Sequence, residues 1–186
     1  MKTMYFLIIA TVMATFSMNV EAQKTSNGKK VLVAISRSGN TKAIASHIKE
    51  LTGGDLFEIQ TAKPYPADYH ACTEVAKKEK NDNARPELKE KVKNIEEYDI
   101  IFIGFPNWWG TMPMPILTFL ESYKLEGKIV IPFCTHGGGG EQSCFRDFVK
   151  NTSKATNKKG FITSGGAASS ARPQVEKWLK EIDIIK

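Results

Sequence analysis

Apolar and polar positions fall in blocks along this chain, and the block lengths separate strands from helices. Residues 31–35, Val31-Leu32-Val33-Ala34-Ile35, form an unbroken apolar run, after which Ile44, Ile48 and Leu51 recur at i, i+4 and i+7, the spacing of one helix face. Residues 52–55 stop that helix with Gly53 and Gly54, and residues 56–60 alternate apolar and polar side chains, which predicts an edge strand with one wet face. The stretch 61–85 is long for a simple crossover. Within it the polar segment 71–81 predicts a short exposed helix, and Tyr65 and Tyr69 either reach toward the ligand site or, the favoured reading, cover a sheet edge. Pro86 is a favourable first-turn residue for a further helix with Leu88, Val92 and Ile95 on one face. Residues 99–105 and 128–134 are apolar runs suited to central strands covered on both faces. Pro113 and Pro115 open a helix that buries Ile116, Leu117, Phe119 and Leu120, and Phe145, Phe148 and Val149 mark another. Residues 159–163 read as a short last edge strand, and Val175, Trp178, Leu179 and Ile182 define a closing helix.

Strands alternating with helices predict an α/β fold, a doubly wound five-stranded parallel sheet. Right-handed crossovers, with the second and fifth strands at the edges, give the order 2-1-3-4-5. In such a sheet ligands bind beyond the carboxyl ends of the strands at the switch point, here between strands one and three.

The block pattern starts only at about residue 30. Before it, Lys2, a mostly apolar run over 4–20 and the small residues Val20 and Ala22 have the three parts of a secretory signal, with a break after Ala22. The expected organisation is a signal peptide over 1–22, a linker over 23–29 and one domain over 30–186, exported to the periplasm and not inserted in the membrane after cleavage. The formal net charge of +6 comes from lysines interleaved with acids, a solvated-face pattern, and no nucleic-acid motif accompanies it. Cys72, Cys134 and Cys144 are odd in number and lack CxxC spacing, which leaves one disulfide or three thiols open. His47, His70 and His136 are scattered, and no metal is expected.

Three loops carry the chemistry. Ser36-Arg37-Ser38-Gly39-Asn40-Thr41 joins a strand to a helix with small hydrogen-bonding residues. At a helix N-terminus, unpaired N–H groups and the positive end of the macrodipole attract an anion. Taken alone, the loop serves equally as a capped helix start with Ser38 or Asn40 as the cap. Pro106-Asn107-Trp108-Trp109-Gly110-Thr111 places two tryptophans in a turn where neither helix nor strand period buries both, so at least one is exposed or faces a ligand. Thr135-His136-Gly137-Gly138-Gly139-Gly140 bares its backbone, either to direct N–H groups at a flat polar edge or as a flexible connector. All three follow strands at the switch point.

In order and spacing these loops resemble those of the flavodoxin family. The first matches the family's T/S-x-T/S-G-x-T phosphate motif, and the likeness runs from about Lys30 to the C-terminus. The resemblance implies a flavodoxin-like fold that binds FMN. Ser36, Ser38, Asn40 and Thr41, with backbone help from Arg37 and Gly39, would hold the phosphate. Pro106 and Asn107 would line the ribityl chain, and Trp108 or Trp109 would stack on the ring, with Gly110 permitting a peptide rearrangement beside it. Backbone of Thr135, His136, Gly137 and Gly138 would meet the pyrimidine edge, where a protonated His136 would raise the potential. An electron-transfer protein is the implied function, with redox proteins or a small-molecule acceptor as partners and no catalytic acid–base residue. An FMN-dependent NAD(P)H:quinone-type reductase is the alternative. A non-redox module holding another phosphorylated ligand is a third reading. The basic charge departs from the acidic character usual in the family, and no separate nicotinamide-nucleotide motif is present.

Overall fold

The computed structural model describes residues 30–36 and 39–186, without the side chains of Ile35 and Ser36. The predicted signal peptide, the linker, Arg37 and Ser38 lie outside the described residues. A parallel sheet runs in the order β2-β1-β3-β4-β5, with β6 also paired to β4. Its strands are β1 Val31–Ser36, β2 Asp55–Ile59, β3 Ile100–Pro106, β4 Ile129–His136, β5 Thr156–Asn157 and β6 Phe161–Ser164. The expected 2-1-3-4-5 order is therefore present. Its fifth position is shared by two short strands, β5 against Ile129 and Val130 and β6 against residues from Phe133 to His136.

Helices α1 Asn40–Thr52, α2 Tyr69–Asn81, α3 Met114–Glu121, α4 Cys144–Asn151 and α5 Arg172–Glu181 cover the sheet. Because side chains alternate across a strand, each central strand feeds two cores. Val31, Val33, Ile100, Phe102, Ile131 and Phe133 pack under α1 and α5. Leu32, Ala34, Ile101, Ile103, Phe105 and Cys134 pack under α3 and α4. Each fully buried aliphatic or Phe side chain stabilises the fold by roughly 1.5–3 kcal/mol. From α5, Trp178 meets the rings of Phe102 and Phe161, and its N–H donates to Lys159 O at 2.9 Å.

The exposed helix expected over 71–81 is present as α2, capped by Asp68, whose carboxylate accepts from Ala71 N at 2.8 Å. The helix expected from Pro86 does not form. Ala62 N donates to Glu87 O and Lys89 N to Gln60 O, both at 2.8 Å, and Thr61 bridges Leu88 in antiparallel sense. Pairing with the chain leaving β2 satisfies this backbone without helical bonds. Leu88, Val92 and Ile95 still pack on the core, since an extended path can present the same apolar residues. On α4, Val149 is exposed rather than buried. That helix is only eight residues long, so its buried stripe is narrow and is filled by Cys144 and Phe148.

Candidate functional site

Gly39, at φ +85°, precedes α1 in a backbone conformation that disfavours side chains. The first helical bond runs from Ala43 N to Gly39 O at 3.0 Å, and the first turn of α1 holds no acidic residue. Its positive end therefore faces outward with no carboxylate of its own to compensate it. Thr41 reaches across the sheet end, and its hydroxyl bonds that of Thr135 at 2.7 Å. Asn40 leans against Gly165, where a Cβ would stand 2.2 Å from its side-chain nitrogen.

The double-tryptophan loop is a two-residue hairpin, closed by Trp108 N to Thr111 O at 2.9 Å and by the reciprocal bond at 3.2 Å. Both central residues, Trp109 and Gly110, have positive φ, as a type I′ turn requires. Asn107 braces it: its carbonyl oxygen accepts from Gly110 N at 2.9 Å and its amide donates to Gly140 O at 2.8 Å. One side chain thus couples the double-tryptophan and tetraglycine loops.

A left-handed tryptophan costs on the order of 1–2 kcal/mol, and α2 supplies compensating contacts. The Trp109 indole donates to Thr73 O at 2.9 Å, Lys77 stands 5.0 Å from its ring centre, and Lys80 donates to its carbonyl. Trp109 is 44% exposed on that helix. Trp108 turns the other way and meets Tyr65 edge-on, with ring centres 5.1 Å apart and planes at 83°. The Tyr65 hydroxyl donates to Glu79 of α2. Burial raises the Glu79 carboxyl above its ordinary value, partly offset by that bond.

At the end of β4, Gly138 N donates to His136 Nδ1 at 3.1 Å, so Nε2 carries the hydrogen of the neutral ring. Beneath it Cys134 and Cys144 are buried thiols in contact. Their hydrogen bond, then burial, pushes the Cys134 thiol up. Cys72 is also a buried free thiol, so no disulfide joins these three.

A cavity of about 610 Å³ opens between these pieces, within the size range of small-ligand sites. Asn40, Thr41, Pro106, Asn107, Trp108, Thr135, His136, Gly137 and Gly138 border it, so nine of the expected residues come together. Gly39 lies beside it at the head of α1. Trp109 is docked on α2, and Gly110 faces Gln142 instead of the cavity. Ser36 ends β1, paired with Ile59, while its side chain, Arg37 and Ser38 are outside the described residues. Two further stretches border it, the first at the less favoured of the two places read for Tyr69 and the second not anticipated. Tyr69 stands at the rim, 71% exposed, instead of covering a sheet edge, and Ser164, Gly165 and Gly166 close the far side. The Gly165-Gly166 pair, following a strand, was the available signal for the second.

Among the described bordering residues there is no Asp, Glu, Lys or Arg. Among the described residues no group of three His, Cys, Asp or Glu side chains is placed to hold a metal, and no helix is long and apolar enough to cross a membrane. The cavity offers helix-end N–H groups, hydroxyls, a side-chain amide, bare glycine backbone and an indole. That donor set suits a ligand with an anionic group at one end and a planar hydrogen-bonding ring at the other.

A family model described as Flavodoxin matches residues 29–182. The chain belongs to the flavodoxin family. A candidate flavoprotein from Bacteroides eggerthii is 34% identical, with a TM-score of 0.72 over 84% of this chain and 99% of that one. Another from Bacteroides uniformis is 37% identical, with a TM-score of 0.73 over 82% and 98%. A flavoprotein from Lactobacillus acidophilus, solved in complex with FMN, is 24% identical, with a TM-score of 0.64 over 78% and 97%. No curated protein matches the chain.

Proposed function

We propose that this flavodoxin-family protein binds FMN and carries electrons. The observation that supports it best is the pairing, in one cavity whose described border holds no Asp, Glu, Lys or Arg, of the α1 N-terminus with the Trp108 wall. Asn40, Thr41 and the start of α1 would hold the phosphate, together with Ser36, Arg37 and Ser38. Pro106 and Asn107 would line the ribityl chain. Trp108 would flank the ring, and the backbone of Thr135 to Gly138 would meet its polar edge. The FMN-bound Lactobacillus protein, which shares the fold, is in keeping with that cofactor.

Bound flavin supplies the redox chemistry, and the protein sets its electronic surroundings. Here the surroundings are an apolar indole, glycine backbone and a His136 ring whose Nδ1 is occupied by Gly138 N. Among the described bordering residues there is no Asp, Glu, Lys or Arg to grip a second, charged substrate, which supports a carrier over a reductase. We further propose export directed by residues 1–22, so that the partners are redox proteins or small acceptors outside the cytoplasm. Purified protein titrated with FMN should quench flavin fluorescence at one equivalent and show a shifted visible spectrum. No binding would end the flavin reading in favour of another phosphorylated ligand. Sustained NAD(P)H oxidation with quinones would replace carrier with reductase. A secreted form beginning at Gln23, read by mass spectrometry, tests export.

A further inference from the structure

We infer that the segment between β2 and β3 is a positioning element for the ring end of the cavity, and that Tyr65 is its working residue, fixing the Trp108 indole in place. This rests on the FMN reading only for its consequence, not for its geometry.

Trp108 sits half-buried in a hairpin between β3 and α3, where the turn fixes its backbone and side-chain contacts fix its indole. Tyr65 supplies one such contact from the side: its ring meets the indole at 5.1 Å and 83°, an edge-to-face arrangement that aromatic pairs prefer. Tyr65 is itself fixed at its far end, where its hydroxyl donates to the Glu79 carboxylate, a charge-assisted bond of well-defined direction. Glu79 belongs to α2, and the same helix holds the neighbouring Trp109 through Thr73 O and Lys80. Asp68 caps α2 and so sets where it starts. A line of contacts therefore runs from α2 through Tyr65 to the cavity wall. A residue that merely filled space would need neither the hydroxyl anchor nor the edge-on angle. Another cavity, of about 470 Å³, is lined by both Tyr65 and Trp108. The indole thus has open space to swing into once Tyr65 is lost.

The test compares Tyr65→Leu, Tyr65→Phe and Glu79→Gln with the wild-type chain, each also in a Trp108→Phe background that isolates the Trp108 signal. Without flavin, Tyr65→Leu should lose the near-ultraviolet circular dichroism due to Trp108 and raise its quenching by acrylamide. Tyr65→Phe should fall between, and Glu79→Gln should stay near wild type because the amide oxygen still accepts the hydroxyl. With flavin, Tyr65→Leu should weaken FMN and riboflavin binding by the same factor, roughly three- to tenfold, since the loss is at the ring and riboflavin lacks the phosphate. Unchanged Trp108 signals in folded Tyr65→Leu and Tyr65→Phe would overturn the inference. So would a loss confined to FMN. If wild type binds neither flavin, the function reading fails, and the ligand-free signals still decide the positioning role.

Discussion

Thr41 and Thr135 are 94 residues apart in sequence, yet their hydroxyls share a 2.7 Å hydrogen bond while both side chains are buried. The bond ties the first turn of α1 to the end of β4 and so sets the spacing between two walls of the cavity. Thr135→Val leaves the Thr41 hydroxyl buried without this partner, which should lower stability by about 1–3 kcal/mol. Denaturant midpoints measure it. The Thr41→Val/Thr135→Val pair should recover part of the loss, and strict additivity of the two single changes would show that the hydroxyls are not coupled.

Asn107 makes two separable bonds, accepting from Gly110 N and donating to Gly140 O. Asn107→Asp keeps the first and loses the second, whereas Asn107→Leu loses both. Stability, and under the proposed function FMN affinity, should therefore fall in the order wild type, Asp, Leu, with about 1 kcal/mol of stability for each bond. Hydrogen exchange at the Gly110 amide should accelerate only in the Leu variant. Acceleration in both would deny the acceptor role.

Gly104 lies in the centre of β3, and a Cβ there would stand 2.1 Å from the ring of Phe133 on the paired strand. Gly104→Ala should destabilise by roughly 1–3 kcal/mol through overpacking. Adding Phe133→Leu should relieve the clash, so the double variant should be more stable than the sum of its parts. A thermal melt of all three proteins decides it.

Arg85 bonds Glu121 through Nε and a terminal nitrogen, each at 2.8 Å, and holds its carboxyl below the ordinary 4.5. With the folded-state value lowered, the unfolded chain binds the extra proton in that window. The contribution is therefore full above pH 4.5 and is lost as pH falls through the value for Glu121 in the folded chain. Both side chains are substantially exposed, so solvent screening limits it to about 0.5 kcal/mol. Glu121→Gln should be less stable than wild type near neutrality and match it in acid. A gap independent of pH would contradict the assignment.

Cys72, Cys134 and Cys144 are all buried, and the Cys134 thiol is held protonated by its bond to Cys144 and by burial. Since the thiolate is the reactive form, iodoacetamide should leave all three unmodified in the folded protein and label all three after denaturation. Rapid native labelling of Cys134 would show that α4 opens.

Local sequence determined the strands and their partners well, because an apolar run such as 99–105 can be satisfied only in a sheet covered on both faces. It also determined that the loops after β1, β3 and β4 would meet, since parallel strands joined by right-handed crossovers bring those ends to one edge. Asn40, Thr41, Asn107, Trp108 and Thr135 were legible for that reason. The path of residues 86–95 was not, because Leu88, Val92 and Ile95 can be buried from a helix or from an extended chain, and the choice fell to backbone bonds with residues 60–62. Nor could the sequence say which of two adjacent tryptophans would face the cavity. Only tertiary structure decided that, since the left-handed turn at Trp109 and the contacts from α2 divert its side chain and leave Trp108 at the wall. Tyr69 reached the rim through the same helix. Patterns record what a residue must bury, whereas the direction of an exposed side chain is set by partners distant in sequence.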